Sequence, residues 1–321
     1  MKSEQLQTAF GDERLRACAE HALEKLAEPV RDLERIDRGN RKQTAIAQFG
    51  DRGPVVMQLC TEQAWLQSES TLLAQIQDRT TVPVPPVLDS GTHDGVAYML
   101  TAYVPGADLH TQFTSLPAET QQAIVRSFGK YLAQLHDQFS FESYGTLVVT
   151  GETLAAQRPD WGTWLREYGR RAVGRLPPAF EPIRAECREL YTGPPTDAAP
   201  TARLYPWDFR PGNALIADDD VTAILDWEAP LAAPASMSVA KAEYLVADWY
   251  VTEPESLREA FRSGYESVRP YPSIPTTHRV AAIANTAVDS SGDVTNPGYP
   301  ELGREEAVAF HRTALEAATE S

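Results

Sequence analysis

Asp208, Asn213 and Asp226 are the residues whose types and spacing suit chemistry most directly. Asn213 follows Asp208 by five residues, with Pro211-Gly212 bending the chain between them. Two short apolar runs come next, Ala214–Ala217 and Val221–Leu225, separated by Asp218-Asp219-Asp220. The second leads straight into Asp226-Trp227-Glu228. β-rich runs around an acidic turn predict a β-hairpin. A loop Asp and Asn followed by a hairpin ending in Asp is the layout that Mg-nucleotide phosphoryl transfer requires. One carboxylate orients the attacking hydroxyl, while the carboxamide and the second carboxylate hold Mg²⁺ against the phosphates. A surface hairpin with incidental acids is the plain alternative.

DFRPGN followed by ILDWE resembles the aminoglycoside phosphotransferase and choline kinase family, whose usual form is HGD-x-x-x-x-N and then IDWE or IDFE. The resemblance spans about residues 30–260 and is most specific over 208–228. It implies an α+β, bilobal protein-kinase-like fold. Residues 1–104 would form a small N-lobe, an antiparallel sheet with a helix covering the nucleotide. Residues 105–321 would form a larger, mainly helical C-lobe carrying the catalytic loop and the metal-binding hairpin. The resemblance further implies ATP and Mg²⁺ as cofactors and a small-molecule hydroxyl as acceptor. Asp208 would then orient and deprotonate that hydroxyl, with Asn213 and Asp226 as ligands of a hard cation. Arg210 takes the place where protein kinases carry a phosphate-facing lysine. It either stabilises charge on the transferring phosphoryl or pairs with a nearby acid.

The nucleotide elements must lie upstream. Asp32–Asp37 and Thr44–Phe49 read as strands joined through Arg38-Gly39-Asn40-Arg41-Lys42, the phosphate-covering loop of the resembled family with Gly39 as its single glycine. An ordinary polar turn fits the same residues. Val55–Leu59 is the strand on which the family carries its phosphate-gripping lysine, and here the matching residue is Gln58. Exchanging a charge-assisted hydrogen bond for a neutral one costs roughly 1.5–3 kcal/mol, about 10- to 100-fold in rate if it acts only in the transition state. The helix predicted over Thr61–Gln77 puts Glu69 among Trp65, Leu72, Leu73 and Ile76. A buried carboxylate needs a partner. Gln58, Lys42 or Mg²⁺ would serve, unless Glu69 lies at a half-exposed edge. Val82–Val87 is an extended segment and Val96–Thr101 a strand. Backbone groups near Thr101–Tyr103 would then hydrogen-bond the adenine, with Pro105-Gly106 marking the crossing between lobes.

Other departures bear on the site. The family's His-Gly before the catalytic Asp is Pro206-Trp207 here, where Trp207 would brace the loop by packing instead, and Ser238 stands where a structural Asp is expected. These changes, with Gln58, favour a catalytically degenerate member that binds a nucleotide or a partner. Retention of Asp208, Asn213 and Asp226 favours the kinase. Aminoglycosides, choline, amino alcohols, sugars and fructosamine-type compounds are all acceptors on this fold, which does not select among them.

Composition sets the limits. The 321 residues are 42% hydrophobic, enough for one large domain or two lobes. No apolar run approaches the ~20 residues of a membrane span, and MKSEQLQTAF lacks a signal-peptide core, so a soluble cytoplasmic chain is expected. Three scattered cysteines suggest neither disulfides nor zinc; Cys18 and Cys187 read as helix-packing residues. With net charge -16 and five lysines among 29 basic residues, nucleic acid and anionic membranes are disfavoured as partners. The acids either suit a salt-rich cytoplasm or attract a cationic substrate; their spread along the whole chain favours the former. A monomer or homodimer is expected.

Further helices are predicted over 9–27, Ser115 to Gln138 with Ser115 as cap, 161–174, 180–191, 239–252, 254–266 and Glu305–Thr319. His136 reads as a packed structural histidine. Residues 192–202 and most of 269–303 read as loop.

Overall fold

The computed structural model describes residues 3–36, 41–151, 153–193, 200–298 and 300–320. The chain divides into two units. Unit 1 is Met1–Gly106 with Leu147–Ala155 and Thr222–Pro230; unit 2 is Ala107–Thr146 with Ala156–Val221 and Leu231–Ser321.

In unit 1 five strands form an antiparallel sheet. They are β1 (Asp32–Ile36), β2 (Gln43–Gln48), β3 (Val55–Cys60), β4 (Val87–His93) and β5 (Val96–Ala102), in the order β1-β2-β3-β5-β4. Strand alternation sorts the two faces. Val55, Met57 and Leu59 of β3 are buried on one face, leaving Val56 and Gln58 on the other. The buried face, completed by Ala45, Ala47, Val96, Tyr98 and Leu100, packs on Leu6, Phe10, Cys18, Ala19 and Ala22. Those residues belong to α1 (Ser3–Ala9), to α2 (Glu13–Glu24) and to the link between them. The single helix predicted over 9–27 is therefore two. Asp12 makes the break by accepting from the amides of Arg14 and Leu15, a side-chain N-cap. α3 (Gln63–Arg79) buries Leu66, Leu72, Leu73 and Ile76.

β4 was not predicted, although its signal is in the chain. Asp94-Gly95 turns β4 into β5 with φ of 49° and 73°, the two positive angles of a type I′ hairpin.

Unit 2 opens with β6 (Ala107–Asp108) and α4 (Leu109–Gln112), followed by α5 (Ala118–Gln138). Ser115 is not the cap of α5. It lies in a 3₁₀ turn with its hydroxyl on the carbonyl of Gln112, and the helix starts after Pro117. Short strands β7 (Ser140–Phe141) and β8 (Gly145–Thr146) come next; β9 (Val148–Thr150) and β10 (Thr153–Ala155) pair with each other in unit 1. α6 (Trp161–Arg175) and α7 (Glu181–Glu189) lead to β11 (Ala202–Tyr205), β12 (Ala214–Ala217), β13 (Asp220–Ile224) and β14 (Leu231–Pro234). Most of the 192–202 loop lies outside the described residues.

β14 was also unpredicted. It completes the sheet β7-β11-β14-β8, in which Tyr205 pairs with Leu231 and so sets where the Asp208 loop begins. α8 (Ala235–Glu243) starts earlier than expected and runs into a π turn, Tyr244–Asp248. α9 (Glu255–Glu266), α10 (Thr276–Thr286) and α11 (Arg304–Glu320) finish the unit. α10 lies in the stretch read as loop. Its apolar run Val280–Ala284 is a buried helix hemmed in by Pro270, Pro272, Pro275 and Gly292, whose turn signals hide it in the sequence.

His136 is fully buried with Nδ1 2.8 Å from the Tyr265 hydroxyl. Burial pushes its pKa down to about 3, so it is a neutral packing residue. All three cysteines are buried thiols. Among the described residues no helix is long and apolar enough to cross a membrane.

Candidate active site

In unit 1 the ladder places Lys42 next to Gln58. Gln58 pairs with Thr44 across β2 and β3, which places Lys42, two residues before Thr44, diagonally beside it on the same face. Lys42 Nζ is 3.1 Å and 3.0 Å from the two carboxylate oxygens of Glu69 and 3.1 Å from Asp226 Oδ1. It is also 3.4 Å from Glu228 Oε2. Glu69 is only 2% exposed, so of its expected partners Lys42 is the one it meets. Burial alone would lower the Lys42 pKa, but Glu69, Asp226 and Glu228 outweigh it and hold the amine well above the ordinary lysine range. Burial pushes the Glu69 carboxyl up, and Lys42 pulls against that shift.

Trp65, one turn before Glu69 on α3, donates its indole N–H to Glu228 at 3.2 Å. The Arg41 guanidinium lies 4.3 Å above the same ring. Asp226 has φ of 60°, a left-handed conformation that Asp tolerates better than most residues and that is enriched at functional positions.

Gly39 lies outside the described residues. Thr101 is within β5, and Tyr103, just past it, is 43% exposed. The amides of Ala102 and Tyr103 already donate to the carbonyls of Pro86 and Pro54. A nucleobase at this edge would meet other backbone groups or the Tyr103 ring.

In unit 2 the end of β11 carries the loop 206–210, then a 3₁₀ turn over Pro211–Asn213, then β12. Phe209 is buried and meets Phe128 of α5 edge-on at 5.1 Å, which fixes the loop between two polar neighbours. Asn213 Nδ2 donates to the Asp208 carbonyl at 2.9 Å and to Oδ2 at 3.2 Å, leaving its carboxamide oxygen to accept. Arg210 Nε donates to Asp208 Oδ2 at 3.1 Å, so its pairing with a nearby acid is realised. The same guanidinium lies 5.4 Å over Trp249. A Cβ at Gly212 would meet Arg210 Nη1 at 2.7 Å, so glycine leaves that guanidinium room beside the turn. Beyond the turn, Asp218 and Asp219 have φ of 51° and 65°, a two-residue reversal built on adjacent acids. β12 pairs with β6, whose Asp108 caps α4 through the His110 amide. His110 Nδ1 is 3.0 Å from the Tyr250 hydroxyl.

Each unit therefore gathers its own set: Lys42, Glu69 and Asp226 in unit 1, and Asp208, Arg210 and Asn213 in unit 2. Residue type and spacing do not reveal Glu228 as a partner of Lys42, Trp65 as its support, or Tyr250, His110 and Lys241 near the Asp208 loop. Lys241 was the most findable, because lysine is scarce here. The donor types fit a magnesium ion: an aspartate and a carboxamide oxygen are hard ligands, and Mg²⁺ needs only one or two protein oxygens beside phosphates and water. Among the described residues there is no group of three or more His, Cys, Asp or Glu that could hold a metal ion.

The sequence model of the phosphotransferase enzyme family matches residues 32–282. Among solved structures, the chain is similar to an aminoglycoside phosphotransferase, APH(4)-Ia, crystallised as a ternary complex with AMP-PNP and hygromycin B. That similarity has 15% identity, 94% of this chain and 97% of the other covered, and TM-score 0.60. A protein from Ralstonia eutropha JMP134 assigned as an aminoglycoside phosphotransferase gives 16% identity, 94% and 96% coverage, and TM-score 0.64. One from Thermobifida fusca YX-ER1 assigned as a fructosamine-3-kinase gives 19%, 93% and 98%, and 0.57. At such identities the likeness speaks for the fold, a mixed helix and strand architecture with antiparallel sheets. The family match covers most of the chain, and the chain belongs to the phosphotransferase enzyme family.

Proposed function

We propose that this phosphotransferase is ATP- and Mg²⁺-dependent and transfers the γ-phosphoryl group to a hydroxyl of a small molecule. The observation that supports this best is the Lys42 ammonium on Glu69 and Asp226: the charge absent at Gln58 is supplied from the neighbouring strand. Phosphate oxygens would compete for Lys42, while Glu69 keeps it oriented. In unit 2 Asp208 would accept the proton of the acceptor hydroxyl as its oxygen bonds to the γ-phosphorus and the bond to the β–γ bridging oxygen breaks. Arg210, already on Asp208, would offset the charge that develops on the phosphoryl oxygens. Asp226 and Asn213 are proposed as the ligands of Mg²⁺, which when bound supplies charge neutralisation at the phosphates.

Three carboxylates around one ammonium leave the unit 1 cluster net negative, so a polyphosphate needs the divalent cation to approach it. Asp208→Ala is expected to bind MgATP as the wild type does and to lose ADP formation with any accepted hydroxyl compound. ADP formation at the wild-type rate in that variant would overturn the assignment. The competing possibility is a nucleotide- or partner-binding module, favoured by Gln58 and by Ser238, which is buried with its hydroxyl unpartnered among the described residues. It would bind MgATP with no ADP formation that depends on Asp208.

A further inference from the structure

One of the five lysines lies where a lysine is costly. Lys241 is on α8, whose residues Met237–Glu243 are all buried, and it is itself 3% exposed. A buried ammonium ordinarily pairs with a carboxylate. Among the described residues none lies within ion-pair distance. Its Nζ is instead 3.4 Å from the ring centroid of Trp207. Trp207 directly precedes Asp208, in the loop where Pro206 has replaced the His expected from the resembled family. Burial pushes the amine down to about 7; the charge of Asp208 acts against this shift, and Arg210 and Arg175 add to it.

We infer that Lys241 is a positioning residue for Asp208: its amine, packed on the Trp207 indole, fixes the corner of the loop that presents the carboxylate. This rests on Asp208 as the residue that orients the acceptor hydroxyl. Stability alone does not account for a lysine here, because an apolar side chain of similar length would fill the same space without burying a charge. The location does account for it. Arg210 holds Asp208 directly at Oδ2, and Lys241 holds it indirectly through the preceding residue. The loop is thereby held at Trp207 before the carboxylate and at Arg210 after it, with Phe209 anchored between Asp208 and Arg210.

Lys241→Met keeps the length and removes the charge; Lys241→Arg restores a cation; Trp207→Phe keeps a weaker aromatic face. For each, the thermal midpoint, the calorimetric affinity for MgATP, and the rate of ADP formation at high enzyme concentration are measured beside wild type and Asp208→Ala. Lys241→Met is expected to melt no lower than wild type, to bind MgATP within about twofold, and to form ADP at least tenfold more slowly. Lys241→Arg should recover part of the rate and Trp207→Phe should fall between. A purely structural lysine would lower the melting point and leave the rate per folded molecule alone, and that result overturns the inference. ADP formation at the wild-type rate in Lys241→Met, with Asp208→Ala slow, overturns this inference alone. Equal rates in wild type and Asp208→Ala overturn the role of Asp208 and this inference with it.

Discussion

Lys42 beside Gln58 shows how a charge can change strand and still serve the same carboxylate. The ladder register puts the two residues diagonally adjacent, so a lysine at either position points to the Glu69 side of the sheet. Removing Lys42 leaves Glu69 buried without a cation, which costs about 3–5 kcal/mol. Lys42→Met should therefore lower the denaturant midpoint sharply, and the double variant Lys42→Met, Gln58→Lys should recover much of it. No recovery would mean that position 58 does not face Glu69. Lys241 gives a prediction with the opposite sign. Its pKa is depressed to about 7 from an ordinary 10.5, so the unfolded chain binds more protons between those values. Stability then rises with pH from about 7 towards 10.5, and below about 7 the full cost of burying the charge is present. Against wild type, Lys241→Met should gain most at pH 6, and the gain should shrink by pH 9, as read by denaturant midpoints. Asp208, Asn213, Asp226 and the demand of Glu69 for a partner were legible from residue type and spacing. The choice of Lys42 was not, because only the register of the ladder brings it to Glu69.

The Asp208 loop is positioned by elements of unequal visibility in the sequence. β12 and β13 announced themselves by two short β-rich runs around acids, and the structure adds that Asp218 and Asp219 form the turn while Asp220 starts β13. β14, which aligns β11 for the loop, was hidden: its Leu-Ala-Ala-Pro has neither alternation nor β-branched residues, and it is a strand because tertiary pairing makes it one. α10 was hidden for the opposite reason, a helical run surrounded by prolines. The crossing of α5 and α9 was equally invisible. A Cβ on Gly129 would collide with the Phe261 carbonyl, and one on Gly264 with the Arg126 carbonyl, so the two backbones touch. Gly264→Ala should cost about 1–3 kcal/mol or more through overpacking, lowering the thermal midpoint. An unchanged midpoint would mean that the helices can separate at no cost.

At the scale of the whole molecule, the net charge of -16 makes self-repulsion a general term in stability. Pairs such as Arg41–Glu62, Arg158–Glu167 and Arg312–Glu316 join exposed side chains and contribute little against it. Raising KCl from 0.1 M to 1 M, where the Debye length falls from about 10 Å to about 3 Å, should raise the thermal midpoint. A lower midpoint would show that local ion pairs outweigh the repulsion. The acidity is read directly from composition, but a sum of charges does not reveal that Lys42 and Lys241 are both placed beside candidate site residues. The measurement that bears most directly on the proposed chemistry is a calorimetric titration of ATP, with and without Mg²⁺, into wild type and Lys42→Met. If Lys42 has taken over the role left vacant at Gln58, wild type binds MgATP, loses most of that affinity without the metal, and outbinds Lys42→Met by about 10- to 100-fold, the equivalent of a charge-assisted hydrogen bond. Equal MgATP affinity in a folded Lys42→Met would contradict the assignment of Lys42 as the phosphate-binding cation.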